Sequence, residues 1–247
     1  TTGVTLVLSD LTLTSEDTAA ITCGKSSEVT ILVSDGTENF LSDTEQNNDD
    51  NYPENENAEN AVIKCKDGST VTLCGTGTLT LKDYSGKGIL VGGVGRTDIT
   101  VVLIGTNTIN DGSITSDMGG DITITSESSG TLSISKTTSG SNPAIGIETG
   151  LSGSYTTGNV TIKGNAKVTI NVTHNGMSTY EKAYGIFAKQ NITISENASV
   201  DITCATPNNT TGGGNCNGLY AAKDVTIDTN GTIKIDVTNA GKDKDNG

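Results

Sequence analysis

The stretch from Asp43 to Asn60, DTEQNNDDNYPENENAEN, is the densest run of chemistry-bearing side chains in the sequence. Asp43, Asp49, Asp50, Glu54 and Glu56 offer carboxylate oxygens, the donors that a hard cation such as Ca2+ gathers in shells of about six to eight. Their spacing matches no EF-hand loop, so a solvated loop and a metal-binding loop are both open readings. A structureless stretch of this length inside a compact domain is often functional or ordered by a ligand. Nucleophilic catalysis finds little support. His174 is the only histidine, so no Ser-His or Cys-His arrangement can be assembled. Arg96, the only arginine, follows the glycines of GILVGGVG (Gly88–Gly95), which lack the strand-then-helix context of a phosphate-binding loop. The five cysteines contain no CxxC and no Cys/His ligand spacing, which disfavours zinc. Tyr84, Tyr180, Tyr184 and Tyr220 are the rings expected to be available for stacking on a sugar.

The elements that must position these groups come from a short repeated cassette: Asp or Asn, then Val or Ile, Thr, and Ile, Val or Leu. Its aligned apolar positions are Val4, Val29, Val71, Ile99, Ile122, Val160, Ile192 and Val225, so the step varies from 23 to 42 residues while the cassette hardly changes. A second alternating segment follows in each unit, as in Gly77–Leu81, Gly130–Ile134, Lys167–Ile170, Ser199–Ile202 and Gly231–Ile235. A third closes several units, as in Ala20–Cys23, Ala61–Cys65, Gly185–Lys189 and Gly218–Lys223. Alternation of apolar and polar residues marks a strand with one buried face. Three short parallel strands per turn make a single-stranded parallel β-helix of about eight rungs, here one domain over 1–247 with an acidic loop insertion at about 43–60. A β-sandwich would instead show hairpin turns roughly every 8–12 residues.

This architecture accounts for the composition. Hydrophobic residues are 32% of the 247, aromatic residues 3%, Trp is absent, and Thr, Ser, Asn and Gly number 41, 22, 23 and 31. A coil that buries only a narrow Val/Ile/Leu column needs few large hydrophobes. Thr, Asn and Gly are poor helix formers, which argues against a helical protein. The formal net charge of −14 disfavours nucleic acid as a partner, and no run of about 18 apolar residues is present to span a membrane. The cassette threonines Thr5, Thr30, Thr72, Thr100, Thr123, Thr161, Thr193 and Thr226 are expected to face outward. The column before the cassette, Glu28, Thr70, Asp98, Asp121, Asn159, Asn191 and Asp224, is expected to serve turns through bonds to its own backbone. Cys23 and Cys65, each six residues before a cassette Val, are expected to stack in the core. Cys204 should also point inward, Cys74 outward, and Cys216 should lie in a loop over 212–217. A Cys204–Cys216 bridge is open.

The first third resembles the bacterial surface carbohydrate-binding domains with a pectate-lyase-like right-handed parallel β-helix, described as calcium-containing binders of polygalacturonate and cellulose. The matching stretches are VTLVLSDLTLT from Val4, EVTILVSDGTENFLSD from Glu28 to Asp43, ENAVIK from Glu59, GTGTLTL from Gly75 and GKGI from Gly86. YGIFAKQNITI from Tyr184 and NGLYAAKDVTI from Asn217 add to them. Where that family often carries Asp before a closing Gly-Ile, this chain has Lys87, Tyr184 and Asn217. The resemblance therefore points to Asp35, Asp43, Asp49 and Asp50 as metal ligands, and Glu54 of the acidic run is expected to join them.

Together these readings predict a secreted or bacterial cell-surface module, a monomer and not an enzyme, that binds plant-type polysaccharide with the help of Ca2+. An acidic glycan would need the cation, because a chain of charge −14 repels it. Tyr84, Tyr184, Tyr220, Lys189 and Lys223 are the expected carbohydrate contacts. Two alternatives remain. A polysaccharide lyase would draw its base from Arg96, Lys64, Lys66, Lys189 or Lys223. A structural stalk is suggested by a chain that opens within a strand, without an initiator Met, and closes on GKDKDNG, as if cut from a larger surface protein.

Overall fold

The computed structural model describes residues 3–49, 51–66, 69–84, 87–91, 98–116, 118–139, 142–150, 156–176, 182–208 and 215–239. Arg96, Tyr180 and Asp50 lie outside the described residues. Apart from one 3-10 turn, Glu45–Asn47, every regular element described is a β-strand. The first rung is β1 (Gly3–Leu8), β2 (Thr12–Thr14) and β3 (Ile21–Cys23); the second is β4 (Glu28–Val33), β5 (Glu38–Ser42) and β6 (Ile63–Cys65). Then come β7 (Thr70–Gly75), β8 (Thr78–Lys82) and β9 (Ile89–Val91), followed by β10 (Ile99–Val102), β11 (Thr106–Asn110) and β12 (Ile114–Ser116). The fifth rung is β13 (Ile122–Ser126), β14 (Thr131–Thr138) and β15 (Ala144–Thr149), and the sixth β16 (Val160–Gly164), β17 (Lys167–His174) and β18 (Lys182–Ala188). The seventh is β19 (Ile192–Glu196), β20 (Ser199–Thr206) and β21 (Asn215–Ala221), and β22 (Val225–Thr229) and β23 (Ile233–Asn239) complete the described strands.

Each sheet takes every third strand, and all pairings are parallel. One sheet runs β2-β5-β8-β11-β14-β17-β20-β23 and another β3-β6-β9-β12-β15-β18-β21. The first strands form two ladders, β1-β4-β7 and β10-β13-β16-β19-β22. Sheet orders that advance by three belong to a chain that visits three sheets once per turn, consistent with a parallel β-helix or solenoid. The drifting step of the cassette has its cause in the corners. Twenty residues, 43–62, separate β5 from β6, whereas six, 83–88, separate β8 from β9.

Register fulfils the alternation read from sequence. Val29, Ile31 and Val33 of β4 pair with Val71, Leu73 and Gly75 of β7, and the apolar members face one continuous core. Thr30 pairs with Thr72, Thr123 with Thr161, and Thr161 with Thr193, on the outer face. A rung buries its column only when another lies on each side of it. Val4, Val225 and Ile227 occupy inward positions yet remain 50%, 45% and 48% exposed, because they belong to the outermost described rungs.

The glycines in or just before the third strands have a packing role. Gly88, Gly146, Gly185 and Gly218 stand at one position of their sheet, and each faces an isoleucine from the second strand of the next rung. A Cβ on Gly146 would lie 2.4 Å from Ile170 Cγ2, and one on Gly185 2.5 Å from Ile202 Cγ2. Gly88 and Gly218 stand in the same way against Ile109 and Ile235.

The Asx column differs from its expected role. Asp98 Oδ1 accepts the Asp121 N–H at 2.8 Å, and Asp121 Oδ1 accepts the Asn159 N–H at 2.8 Å and its side-chain amide at 3.0 Å. Asn159 Oδ1 does the same for Asn191, and Asn191 Oδ1 accepts the Asp224 N–H. These bonds run to the next rung rather than to the residue's own backbone, since stacking places the same N–H directly beside each side chain. A second ladder, Asn165–Asn197–Asn230, closes another corner.

Cys204 and Cys216 form a disulfide with a Cα–Cα separation of 6.1 Å. It joins two sheets within one rung, because Cys216 lies in β21 and not in the expected loop. Cys23 and Cys65 are buried register partners. Cys74 is half-buried rather than fully exposed, and that burial pushes its thiol up.

Candidate functional site

The acidic insertion is a stitched structure. Asn47, fully buried, donates from Nδ2 to Asp43 Oδ2 at 3.0 Å and to the Ala61 carbonyl at 2.9 Å, and its Oδ1 accepts the Glu59 N–H at 2.7 Å. One side chain thus clips both ends of the insertion together. Asn60 and Asp49 exchange two bonds of 3.0 and 2.8 Å. Asn55 Nδ2 donates to the carbonyls of Asp17 and Gln46, and Thr44 Oγ1 donates to the Glu16 carbonyl, so the insertion is tied to the corner after β2. The many amides of the sequence here serve as backbone clamps.

Between the insertion and the outer face of the β2-β5-β8 strands lies a cleft of about 750 Å3. The sheet contributes Thr14, Ser42 and Lys82, which are successive register partners, together with Phe40. The insertion contributes Asp43, Thr44, Glu45, Gln46 and Tyr52, and the corners Glu16 and Tyr84. Thr14 and Ser42 hydroxyls are 2.8 Å apart. Lys82 Nζ sits 4.7 Å from the centre of the Tyr84 ring, which is 48% exposed. Asp43 is fully buried beneath, and its Oδ1 accepts the Tyr84 N–H at 2.7 Å. Three rings, three serine or threonine hydroxyls and three carboxylates against one ammonium make this a surface for polyhydroxylated ligands: rings offer flat apolar faces, and carboxylates and hydroxyls accept or donate hydrogen bonds.

A second cluster stands on the β15-β18-β21 face. Phe187 and Tyr220 stack at 5.1 Å with 4° between planes, and Tyr184 meets both edge-on at 5.4 and 5.5 Å. Tyr184 is only 5% exposed, whereas Tyr220 is 40% exposed. Burial, and then the neighbouring Tyr220 hydroxyl, push the Tyr184 phenol up. Lys189 Nζ lies 5.6 Å over Phe187. A smaller groove of about 190 Å3 occurs on the eight-stranded sheet, where Lys167, Ser199, Asp201 and Lys234 meet. Lys234 bonds Asp236 at 2.7 Å, and that bond, with the Asp201 carboxylate nearby, raises its ammonium above the usual lysine range.

The structure therefore distributes the sequence-predicted residues over two places. Tyr84 and Asp43 share the cleft; Tyr184, Tyr220 and Lys189 share the aromatic cluster, while Lys223 is exposed beyond them. Tyr184 presents no free ring face and acts as a support for Tyr220. The acidic candidates do not converge: Asp35 accepts the Thr76 hydroxyl at 2.6 Å, Asp49 is held by Asn60, and Asp43 faces Asn47 and Tyr84. Among the described residues, no group of three or more His, Cys, Asp or Glu side chains is placed to hold a metal ion. Of the lysines named as bases, Lys66 is paired with Glu59 at 2.9 Å.

Sequence reading missed Glu16, Phe40, Ser42, Tyr52 and Lys82. The signal for three of them was available, because Phe40, Ser42 and Lys82 fall on outward positions of strands whose inward partners are leucines. It also missed buried Asp83, which follows β8 and meets Lys136 Nζ at 3.9 Å.

No described helix is long and apolar enough to cross a membrane. No curated protein and no solved structure shows a significant match to the chain. A family described as carbohydrate-binding domain-containing protein does match, over residues 1–243. That span takes in every described rung, the cleft and the aromatic cluster, and with it a carbohydrate-binding role is supported: the chain belongs to the carbohydrate-binding domain-containing family.

Proposed function

We propose that the chain binds polysaccharide in the cleft between the acidic insertion and the β2-β5-β8 face. The observation that carries this reading is the convergence of Phe40, Tyr52 and Tyr84 with Glu16, Ser42 and Glu45 in one open cleft, on a chain of a carbohydrate-binding family. A sugar ring lays its apolar C–H face on an aromatic ring while its hydroxyls bond the surrounding carboxylates and hydroxyls. The main chain that carries the exposed Tyr84 ring is held by the Asp43 bond to its backbone N–H, which lowers the ordering cost on binding. The coil is taken as right-handed, the hand of about 98% of parallel crossover connections.

Plant-type glycans, cellulose and polygalacturonate, are the ligands to test first, for a protein placed outside the cell or on its surface. Glu16, Asp43 and Glu45 outnumber Lys82 in the cleft, so a neutral chain is accommodated directly and a uronate chain needs a cation. The described acids do not form a complete calcium shell, so an ion at this site takes its remaining oxygens from the glycan. Affinity electrophoresis in gels containing hydroxyethylcellulose or polygalacturonate, with calcium or with chelator, tests the reading. Retardation is expected, with uronate binding lost in chelator. Unchanged mobility in every gel, with and without the ion, overturns polysaccharide binding.

A further inference from the structure

We propose that Cys23 and Cys65 are the site of a second disulfide, a covalent staple between the first two rungs. The residues are register partners on the adjacent parallel strands β3 and β6. Neighbouring strands lie about 4.7–4.9 Å apart, within the roughly 4.4–6.8 Å Cα separation that disulfides span. Both side chains point into the core, 3% and 0% exposed, and their thiols hydrogen-bond each other. That contact lowers the Cys23 thiol from its ordinary range against the opposing effect of burial, and raises Cys65. Cys74, the other free thiol described, has Leu32 as its register partner and stays reduced. The chain already holds one disulfide, Cys204–Cys216, which joins two strands of a single rung.

The chemistry requires a low-molecular-weight disulfide as oxidant. The Cys23 thiolate attacks one of its sulfurs and expels a thiol, leaving a mixed disulfide. Cys65, losing its proton to solvent, then attacks Cys23 Sγ and expels the second thiol. Two cysteine thiols are oxidised and one external disulfide is reduced to two thiols. The strand that must lift to admit the oxidant is β3, which has three residues and stands at the edge of its sheet. Once formed, the staple closes a loop that contains β4, β5 and the whole insertion, so it encircles the chain that walls the cleft.

The test is thiol mapping of the full chain after incubation with oxidised glutathione until the Cys204–Cys216 cross-linked peptide is recovered, with alkylation under denaturing, non-reducing conditions. The expected result is a Cys23–Cys65 cross-linked peptide and alkylation at Cys74 alone. Recovery of Cys23 and Cys65 both alkylated, either one carrying glutathione, or any other partner for them overturns the proposal. A second reading uses a variant given the same oxidant: reductant should lower the melting temperature of Cys204→Ser/Cys216→Ser protein, in which only the proposed staple remains. No response to reductant in that variant overturns it as well.

Discussion

Replacing Asn47 by alanine removes three hydrogen bonds at once, to Asp43, Ala61 and Glu59. Two join neutral groups, each worth about 0.5–1.5 kcal/mol net, and one joins a carboxylate, worth about 1.5–3 kcal/mol. The Ala61 carbonyl and the Glu59 N–H lose a partner at the base of the insertion. A loss of about 3–5 kcal/mol follows, and it is local, because all three bonds fall at the base of the insertion. Amide exchange over residues 44–58 should accelerate by roughly two to three orders of magnitude, since each 1.4 kcal/mol is about a tenfold change. The core strands β14, β17 and β20 should keep their protection. Polysaccharide affinity should fall with the insertion, because Thr44, Glu45, Gln46 and Tyr52 form one wall of the cleft. Hydrogen exchange read by mass spectrometry, beside affinity electrophoresis of the same variant, reports both effects. Faster exchange spread evenly over the whole chain would refute the claim that Asn47 is a local clip. Lost protection in the insertion with unchanged binding would refute the assignment of that wall to the site.

Other substitutions test the remaining parts. Gly185→Ala forces a Cβ to within 2.5 Å of Ile202 and should destabilise by about 1–3 kcal/mol in urea unfolding, whereas Gly24→Ala, with nothing within 4 Å, should stay within about 0.5 kcal/mol of wild type. Tyr84→Ala should weaken polysaccharide binding with no change in melting temperature, and Tyr220→Ala should leave binding intact if the cleft is the site; the reverse pattern would move the site to the aromatic cluster. The Tyr184 phenol is raised above the ordinary tyrosine range by burial. Its contribution to stability is therefore complete below the unfolded value and is lost as pH climbs through the higher folded one, so alkaline unfolding above about pH 10 should soften in Tyr184→Phe.

Much of this fold was legible because the coil obeys a period-two rule at every strand. Val29, Val71 and Val160 announced their inward positions by alternation, and Thr30, Thr72 and Thr161 their outward ones. The partner of each Asx side chain was not legible, since an inter-rung bond depends on which residues stack, a property of register rather than of local sequence. The same holds for Cys216, whose strand is set by Cys204 and β18. The cleft was half legible. Tyr84 stood out as a ring on a polar chain, but Tyr52 and Glu45 reach it only because buried Asn47 folds the insertion back across the sheet. Composition alone marked those amides as loop formers and could not say which of them was an anchor.

The interlock of third-strand glycines with the next rung's isoleucines fixes where each turn of the coil stops relative to its neighbour. A slip of one residue would bring a side chain into space that only a hydrogen occupies now. The pitch is thus written inside the coil, and the corners are free of that duty. A lineage built on this plan can change what it grips by rewriting a single corner, as the twenty residues between β5 and β6 illustrate beside the six between β8 and β9. For an engineer, the corner after a second strand is a socket: a grafted loop inherits a rigid sheet as its floor without renegotiating the core.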